Sequence, residues 1–293
     1  MGDFLCKVWG NCGLCAENLR ERHDNPGGAM AERTYDILDR PDILSVMFHP
    51  RPDMGPPRLA QGVHTVRIPV DDDIAVGGKI YTAGPGAPVI LYFHGNGEIA
   101  SDYDYIAPLY LSLGLTLFVI DYRGYGMSSG SPTASALVND AWTCFEKTPE
   151  VLAGRGIDAG PIYLMGRSMG SAAVLEIAAR AGDDIAGLII ESGFAYTFAL
   201  IERLGFIRVA EADEDRDGFG NLGKISRVTV PTLVIHGMED WIIPISDGLA
   251  LHDASPAADK RLVTVPGAGH NDLMLVGREP YFEAIADLCA PPA

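Results

Sequence analysis

The stretch PIYLMGRSMGSAAVLEIAARA, residues 161–181, contains two apolar runs joined by a glycine-flanked serine, Ser168. Residues 162–165 have the length and composition of a strand that is buried on both faces, and residues 169–181 have the length of a helix. A strand, a sharp turn and a helix form the setting in which a hydrolase holds its nucleophile. Gly166 and Gly170 avoid the clash that a Cβ would cause beside such a turn. The stretch therefore predicts Ser168 as a nucleophile at the carboxyl end of a parallel strand.

The same G-x-S-x-G spelling occurs a second time, around Ser128 at residues 126–130. This copy lies several residues after the strand-like run LTLFVI, within the glycine- and serine-rich stretch GYGMSSGSP. Such stretches are ordinary connections between a strand and a helix, and Pro132 is typical of a helix start. We therefore interpret Ser128 as a loop residue.

Eight strand-like runs alternate with helix-length segments between residues 63 and 288. The first two runs, VHTVRIPV and IAVGGKIYTA, read as an antiparallel pair, and the first alternates like a half-buried strand. The later runs are mostly continuous apolar stretches, as expected for strands covered on both faces: PVILYF, LTLFVI, IYLM, GLII, TLVIHG and RLVTV. Helices are predicted over residues 101–113, 134–147, 169–181, 246–254 and 279–288. This alternation predicts a mostly parallel sheet with helices on both faces.

The interval between the sixth and seventh runs, residues 194–227, is much longer than a crossover requires. Its first part, FAYTFALIERLGFI, is apolar and predicted to be helical, and its second part, EADEDRDGFGNLG, is polar and rich in turn residues. Insertions of this length are usually functional or mobile. We expect residues 194–227 to form a small cap over the strand ends, within a single domain of residues 31–293.

A serine nucleophile needs a base to take its proton and an acid to orient the base. Asp240 lies in VIHGMEDWIIP after one strand-like run, and His270 lies in VPGAGHNDL after the last run. Serine, acid and histidine in this chain order, each after a strand, predict a triad of Ser168, Asp240 and His270. Glu239, beside Asp240, and Glu191, at the end of GLII, are alternative acids.

The loop after the third run, within LYFHGNGE, is where a second donor to an oxyanion is expected. We assign the two donors to the backbone N–H groups of Asn96 and Met169. Met169 opens a helix whose positive end would face the developing charge. Gly95 and Gly97 are predicted to let the chain approach the substrate closely.

The formal net charge of −17 disfavours duplex nucleic acid or an anionic membrane surface as the main partner. No run approaches the ~20 apolar residues of a membrane span. The first residues lack the apolar core of a secretory signal, and five cysteines, an odd number, imply no disulfide framework. We therefore expect a cytoplasmic protein with reduced thiols.

The first 30 residues contain Cys6, Cys12, Cys15 and His23. A zinc site, a redox C-x-x-C pair and reversible lipidation with peripheral membrane association are alternative roles for them. We favour a flexible tail over residues 1–30, and Met30 is an alternative start.

Residues 213–218, DEDRDG, copy the opening of a calcium-binding EF-hand loop. The twelfth position is Lys224 instead of the glutamate that such loops require, and its charge would repel the ion. No G-x-G-x-x-G loop follows the first strands. We expect a solvated acidic turn, no metal and no cofactor.

The stretches LYFHGNGE, DYRGYGMSSG, GRSMGS, IHGMEDWIIP and GAGHNDL resemble the serine-hydrolase branch of the α/β-hydrolase superfamily, in order and spacing. The resemblance covers about residues 63–288. It implies an α/β-hydrolase fold, with a mostly parallel sheet flanked by helices and a small cap insertion after the sixth strand.

The same resemblance implies a serine hydrolase that acts on carboxylic esters or thioesters, with a small ester or acyl-thioester as its partner. HGMEDWIIPISDGLALHDASP and GAGHNDL are similar to relatives that remove palmitoyl groups from protein cysteines. The branch also contains esterases and peptidase-like members. A carboxylesterase is the leading interpretation, and protein or acyl-thioester hydrolysis, amide hydrolysis and non-enzymatic binding are the alternatives.

Overall fold

The eight strand-like runs all form strands of one sheet in a computed structural model, which describes residues 33–55 and 61–290. From Thr34 onward the chain forms one compact unit. The strands are β1 Val63–Asp71, β2 Ile74–Tyr81, β3 Ala87–Phe93, β4 Thr116–Ile120, β5 Ala159–Arg167, β6 Gly187–Glu191, β7 Thr232–Gly237 and β8 Lys260–Val265.

The strand order across the sheet is β1-β2-β4-β3-β5-β6-β7-β8. β1 pairs antiparallel with β2, and β2 pairs antiparallel with β4, whereas the remaining neighbours are parallel. The predicted α/β-hydrolase fold with a mostly parallel sheet is therefore confirmed. Phe93 is in register with Gly166, and Arg167 is in register with Glu191, so β3, β5 and β6 end at one level.

Helices cover both faces of the sheet. In chain order, they are α1 Pro41–Met47, α2 Ala107–Ser112, α3 Ala134–Ala153, α4 Gly170–Ala181, α5 Thr197–Gly205, α6 Glu214–Asp217, α7 Asn221–Ile225, α8 Ile245–Ala254, α9 Leu273–Val276 and α10 Arg278–Cys289. Alternate side chains of β3 belong to opposite cores: Leu91 and Phe93 join the core that includes α3 and α4, and Ile90 and Tyr92 join the core that includes α10. This period of two is what a strand buried on both faces requires.

Two helix predictions were wrong in their limits. The segment predicted as one helix over residues 101–113 consists of a 3₁₀ turn, Ala100–Tyr105, followed by α2. Pro108 lies at the start of α2, where its missing N–H is tolerated but where an earlier helix could not continue. α3 continues past residue 147 to Ala153 in spite of Pro149, and the Thr148 hydroxyl donates to the Cys144 carbonyl in this turn.

The insertion after β6 contains α5, α6 and α7. Glu214 of α6 accepts hydrogen bonds from the N–H groups of Thr197 and Phe198, at 2.7 and 2.9 Å, and so caps α5. Lys224 of α7 is fully buried, and its Nζ lies 2.8 Å from the Glu176 carboxylate on α4. The stretch that copies the opening of an EF-hand loop, residues 213–218, contains the short helix α6. Asp213 is its N-cap and accepts hydrogen bonds from the N–H groups of residues 215 and 216.

The predicted tail, with Cys6, Cys12, Cys15 and His23, lies outside the described residues, as does Met30. Within residues 33–55 and 61–290, no helix is long and apolar enough to cross a membrane. The two cysteines in this part of the chain, Cys144 and Cys289, are buried free thiols.

We predict that Gly170→Ala lowers the free energy of unfolding by about 1–3 kcal/mol, because a Cβ at this position would lie 2.0 Å from the Phe93 carbonyl oxygen. Gly223→Ala in α7 is the matched control, since a Cβ there meets nothing within 4 Å. The control is expected to be neutral or to stabilise by up to ~1 kcal/mol. Urea denaturation of both variants checks this, and equal effects would contradict the close contact between α4 and β3.

Candidate active site

Ser168 lies at a strained turn between β5 and α4. Its φ angle is +52°, a left-handed conformation that costs a residue with a Cβ on the order of 1–3 kcal/mol. The turn is held from both sides: the Ser168 N–H donates to the Glu191 carbonyl at 2.9 Å, and the Ser168 carbonyl accepts from the Ser171 N–H and hydroxyl at 3.0 and 2.6 Å. These bonds fix the serine above the strand end, with 8% of its surface exposed.

The two glycines around Ser168 are required for space. A Cβ on Gly166 would lie 2.4 Å from the Gly170 carbonyl oxygen and 2.6 Å from Val174 Cγ2. A Cβ on Gly170 would overlap the end of β3. Neither glycine has a positive φ, so the serine itself carries the unusual conformation of this turn.

The structure brings the three predicted triad side chains together. His270 Nε2 lies 3.0 Å from Ser168 Oγ, and His270 Nδ1 lies 2.7 Å from Asp240 Oδ2. The second carboxylate oxygen of Asp240 accepts hydrogen bonds from the N–H groups of Ile242 and Ile243 at 2.9 and 2.8 Å. All three triad residues are buried. The acid is thus held by its own loop while its other oxygen faces the imidazole.

The surroundings keep the Asp240 carboxylate charged. Burial raises the pKa of Asp240, but the hydrogen bond and charge interaction with His270 and the loop N–H groups outweigh burial, so that the pKa lies below its usual value. His236 is buried beside it, and its Nε2–H donates to the Ile243 carbonyl at 2.8 Å. Burial lowers the pKa of His236, which favours a neutral ring. His236 therefore supports the loop that carries the acid.

Among the residues that the structure describes, the alternative acids and the alternative serine form no hydrogen bond with the His270 ring. Glu239 is exposed, and Glu191 is buried beside Arg167, with hydrogen bonds from the hydroxyls of Tyr92 and Tyr281. Ser128 Oγ accepts a hydrogen bond from the Gly77 N–H at 2.7 Å. The loop with the second G-x-S-x-G stretch, residues 126–130, is thus bound to β2.

The two predicted oxyanion donors line one cavity with Ser168 and His270. In the described part of the chain, neither the Asn96 N–H nor the Met169 N–H donates to another group. The Asn96 side chain is held by neighbours, because its Oδ1 accepts from the His49 N–H at 2.9 Å and from the Tyr125 hydroxyl at 2.6 Å. Both N–H groups thus have no protein acceptor in this part of the chain, and both residues lie at the cavity, so the assignment of the two donors stays a prediction.

The cavity beside Ser168 has a volume of about 210 Å³. Its walls are mostly apolar, and α5 of the insertion supplies a large part of them. The apolar lining consists of Met47, Met169, Phe194, Leu200, Ile201, Leu204 and Ile242. This arrangement suits an apolar group of a substrate next to the serine hydroxyl.

The sequence reasoning missed an ionic cluster next to the triad. Arg167, the residue before Ser168, lies between the carboxylates of Glu98 and Glu191. Gly95 was expected to make room for substrate, but a Cβ there would lie 2.5 Å from Arg167 Nη1, so this glycine makes room for the guanidinium. Gly97 has a φ of +79°, a conformation that favours glycine. The only hint of this cluster in the sequence was a pair of charged residues, Glu98 and Arg167, that lie at or near the ends of apolar strands.

The lowered pKa predicts the pH dependence of the stability that Asp240 contributes. A depressed folded-state pKa gives stability that is fully present above the unfolded pKa of about 3.9 and is lost as the pH falls through the folded value. Asp240→Asn should therefore lower the free energy of unfolding at about pH 6 and cost less at about pH 3. Denaturation at both pH values measures this. Glu239→Gln, at an exposed neighbour, is the control, and a pH-independent cost at Asp240 would contradict the expectation.

Comparison with known proteins gives the family. Residues 85–201 match the family model described as Serine aminopeptidase, S33. The chain is 33% identical over 244 residues to alpha/beta hydrolase domain-containing protein 17C of Xenopus tropicalis, covering 78% of this chain and 70% of the relative. It is 36% identical over 207 residues to protein 17C of Homo sapiens, covering 67% of this chain and 56% of the relative, so the match spans little more than half of the human protein.

The fold has close counterparts among solved structures. The Pyrococcus furiosus esterase Pf2001 is similar with a TM-score of 0.61 at 18% sequence identity, and the match covers 90% of this chain and 97% of the esterase. At this identity the likeness concerns the fold alone. Together with the sequence relatives, it shows that the chain belongs to the α/β-hydrolase family, as a relative of alpha/beta hydrolase domain-containing protein 17C.

Proposed function

We propose that the protein is a serine hydrolase that cleaves carboxylic esters or thioesters through an acyl-enzyme on Ser168. The observation that carries this proposal is the chain of contacts from Ser168 Oγ to His270 Nε2, 3.0 Å, and from His270 Nδ1 to Asp240, 2.7 Å. Ser168 and His270 line a cavity that is also lined by Asn96 and Met169, the two candidate oxyanion donors.

Each group has a role that follows from its contacts. Asp240 accepts the Nδ1–H of His270, which leaves Nε2 as the acceptor for the Ser168 hydroxyl proton. As Ser168 Oγ attacks the acyl carbonyl, His270 takes that proton and then gives it to the leaving oxygen or sulfur. Asp240 stabilises the imidazolium formed in between. The N–H groups of Asn96 and Met169 stabilise the oxyanion.

The second half of the reaction uses the same groups in reverse. His270 takes a proton from a water molecule, and the resulting nucleophile attacks the acyl carbonyl on Ser168. The tetrahedral intermediate collapses, His270 returns the proton to Ser168 Oγ, and the acid is released. No step of this cycle calls for a metal or an organic cofactor.

The apolar cavity favours an apolar acyl group. The insertion helix α5 supplies Leu200, Ile201 and Leu204, and the loop after Asp240 supplies Ile242. An acyl chain that leaves water in this cavity gains about 0.8 kcal/mol for each buried methylene group.

Hydrolysis of acyl-thioesters on a protein or lipid surface is a second candidate, favoured by the surface next to the cavity. Trp241, beside the cavity residue Ile242, is 87% exposed, and Phe206, two residues after the cavity residue Leu204, is 93% exposed. Arg203 donates to the Ile242 carbonyl at 3.0 Å, which joins the two segments. Large exposed apolar side chains of this kind are suited to contact with an apolar surface that presents an acyl chain.

A fluorophosphonate probe tests the nucleophile. Ser168→Ala should abolish labelling, whereas Ser128→Ala should retain it and lose about 1 kcal/mol of stability with the hydrogen bond to Gly77. In-gel fluorescence of the purified variants measures the labelling. The reverse pattern, or labelling that survives in both variants, would refute Ser168 as the nucleophile.

A substrate panel tests the acyl group. We predict that kcat/KM for p-nitrophenyl esters rises from acetate to octanoate by up to about fourfold per methylene group. Leu204→Ala should reduce this preference for the longer chain by about threefold or more, since it removes part of the cavity wall.

Leu249→Ala is the matched control for this panel, because both leucines lie on helices and are 42% exposed, but Leu249 does not line the cavity. A parallel series of acyl-thioesters and a palmitoylated peptide separates the two candidate functions. A preference for acetate would contradict the apolar acyl site.

A further inference from the structure

We infer that Arg167 is a positioning residue for the reaction, holding the oxyanion loop and the histidine loop in fixed relation to Ser168. The oxyanion loop is defined as residues 94–98, and the histidine loop as residues 266–271. The inference rests on the proposed function, because it concerns the geometry of that same site.

The Arg167 side chain contacts both a backbone carbonyl and a side chain of the histidine loop. Its Nη2 donates to the carbonyl oxygen of His270 at 2.8 Å and to Asn271 Oδ1 at 3.1 Å. The guanidinium therefore binds the residue that carries the base itself. A shift of this contact would move the imidazole relative to Ser168 Oγ, because Arg167 ends β5 and Ser168 is the next residue of the chain.

The same guanidinium holds the oxyanion loop. Its Nη1 pairs with Glu98 Oε1, and Glu98 Oε2 accepts hydrogen bonds from the Gly95 N–H at 2.8 Å and from the Tyr103 hydroxyl at 2.9 Å. The loop folds so closely over the guanidinium that a Cβ on Gly95 would lie 2.5 Å from Nη1. Asn96, the candidate donor, is thus one residue from an atom fixed by this ion pair.

Glu191 sets the orientation of the guanidinium. It is the register partner of Arg167 on β6, and its Oε1 lies 3.3 Å from Arg167 Nε. Glu191 Oε2 accepts from the hydroxyls of Tyr92 and Tyr281 at 3.1 and 2.8 Å, so this carboxylate is itself fixed. All three guanidinium nitrogens therefore have partners: Nη1 has Glu98, Nη2 has the histidine loop and Nε has Glu191.

The cluster depends on shape as well as on charge. Burial raises the pKa of Glu98, but the charge of Arg167, together with His94 and the hydrogen bonds from Gly95 and Tyr103, outweighs burial, so that the pKa lies below its usual value. A lysine at position 167 would keep a positive charge but would lose the planar set of donors that reaches both loops. Because a misplacement of about 1 Å can cost on the order of 10²-fold in rate, the loss should appear in kcat.

Arg167→Lys tests the inference. We expect kcat for a p-nitrophenyl ester to fall by about 10²-fold, with KM changed by less than about threefold, since lysine keeps the positive charge that Arg167 contributes to the cavity lining and the apolar wall is intact. The matched control is Arg123→Lys. Arg123 donates to Asp140 through Nε and Nη2, both at 2.7 Å, and neither residue lines the cavity at Ser168. This control should lose comparable stability and keep its kcat.

Glu98→Gln supplies a second variant, which should lower kcat in the same way because it weakens the contact between Arg167 and the oxyanion loop. In the double variant Arg167→Lys/Glu98→Gln, the fold-loss in kcat should be smaller than the product of the two single losses. Both substitutions weaken the same contact between Arg167 and Glu98. All kcat values are referred to the fraction of protein labelled by the fluorophosphonate probe, and thermal unfolding is measured in parallel.

A kcat per labelled site within about threefold of wild type in Arg167→Lys and in Glu98→Gln would overturn the inference. A loss no larger than that of Arg123→Lys would also overturn it. With either of these results, the proposed function would still stand as long as the wild-type protein is labelled and active. A wild-type protein that is neither labelled nor active would instead overturn the proposed function, and this inference with it.

Discussion

The level carboxyl ends of the central parallel strands are the constraint on which the site depends. Phe93 of β3 is in register with Gly166 of β5, and Arg167 of β5 is in register with Glu191 of β6. Each chain segment therefore leaves the sheet at the same height and enters a loop on the same edge. The oxyanion loop, Ser168 and the loops of Asp240 and His270 meet there without any long excursion of the backbone.

Local sequence was enough to predict the sheet and to pick out three side chains that the fold brings together, because both leave local signals. An apolar run such as residues 162–165 must be a buried strand, and a serine between two glycines directly before an apolar helix has few structural alternatives. Asp240 and His270 were predicted because each lies in the loop that follows a strand, β7 or β8. The limits of helices were less predictable, since Pro108 and Pro149 act in opposite ways in α2 and α3.

The ionic cluster leaves no comparable signal in the sequence. Glu98 and Arg167 are 69 positions apart, and Arg167 and His270 are 103 positions apart. Charged residues at such separations show no periodicity, and only the register of the sheet brings them together. The same holds for His49, whose contact with Asn96 depends on the fold of a segment that precedes the sheet. In both cases the side chains act through tertiary contacts that a single sequence does not encode locally.

The buried lysine of the insertion has a consequence for how the insertion is anchored to the sheet. Lys224 pairs with Glu176 on α4, the helix that starts just after Ser168, and breaking such a buried pair would strand a charge in an apolar interior. The base of the insertion is thus fixed to the same helix as the site. The outer end of α5 is different, because Leu204 there is partly exposed, so the fixed base and the open end of the insertion lie at opposite ends of one short segment.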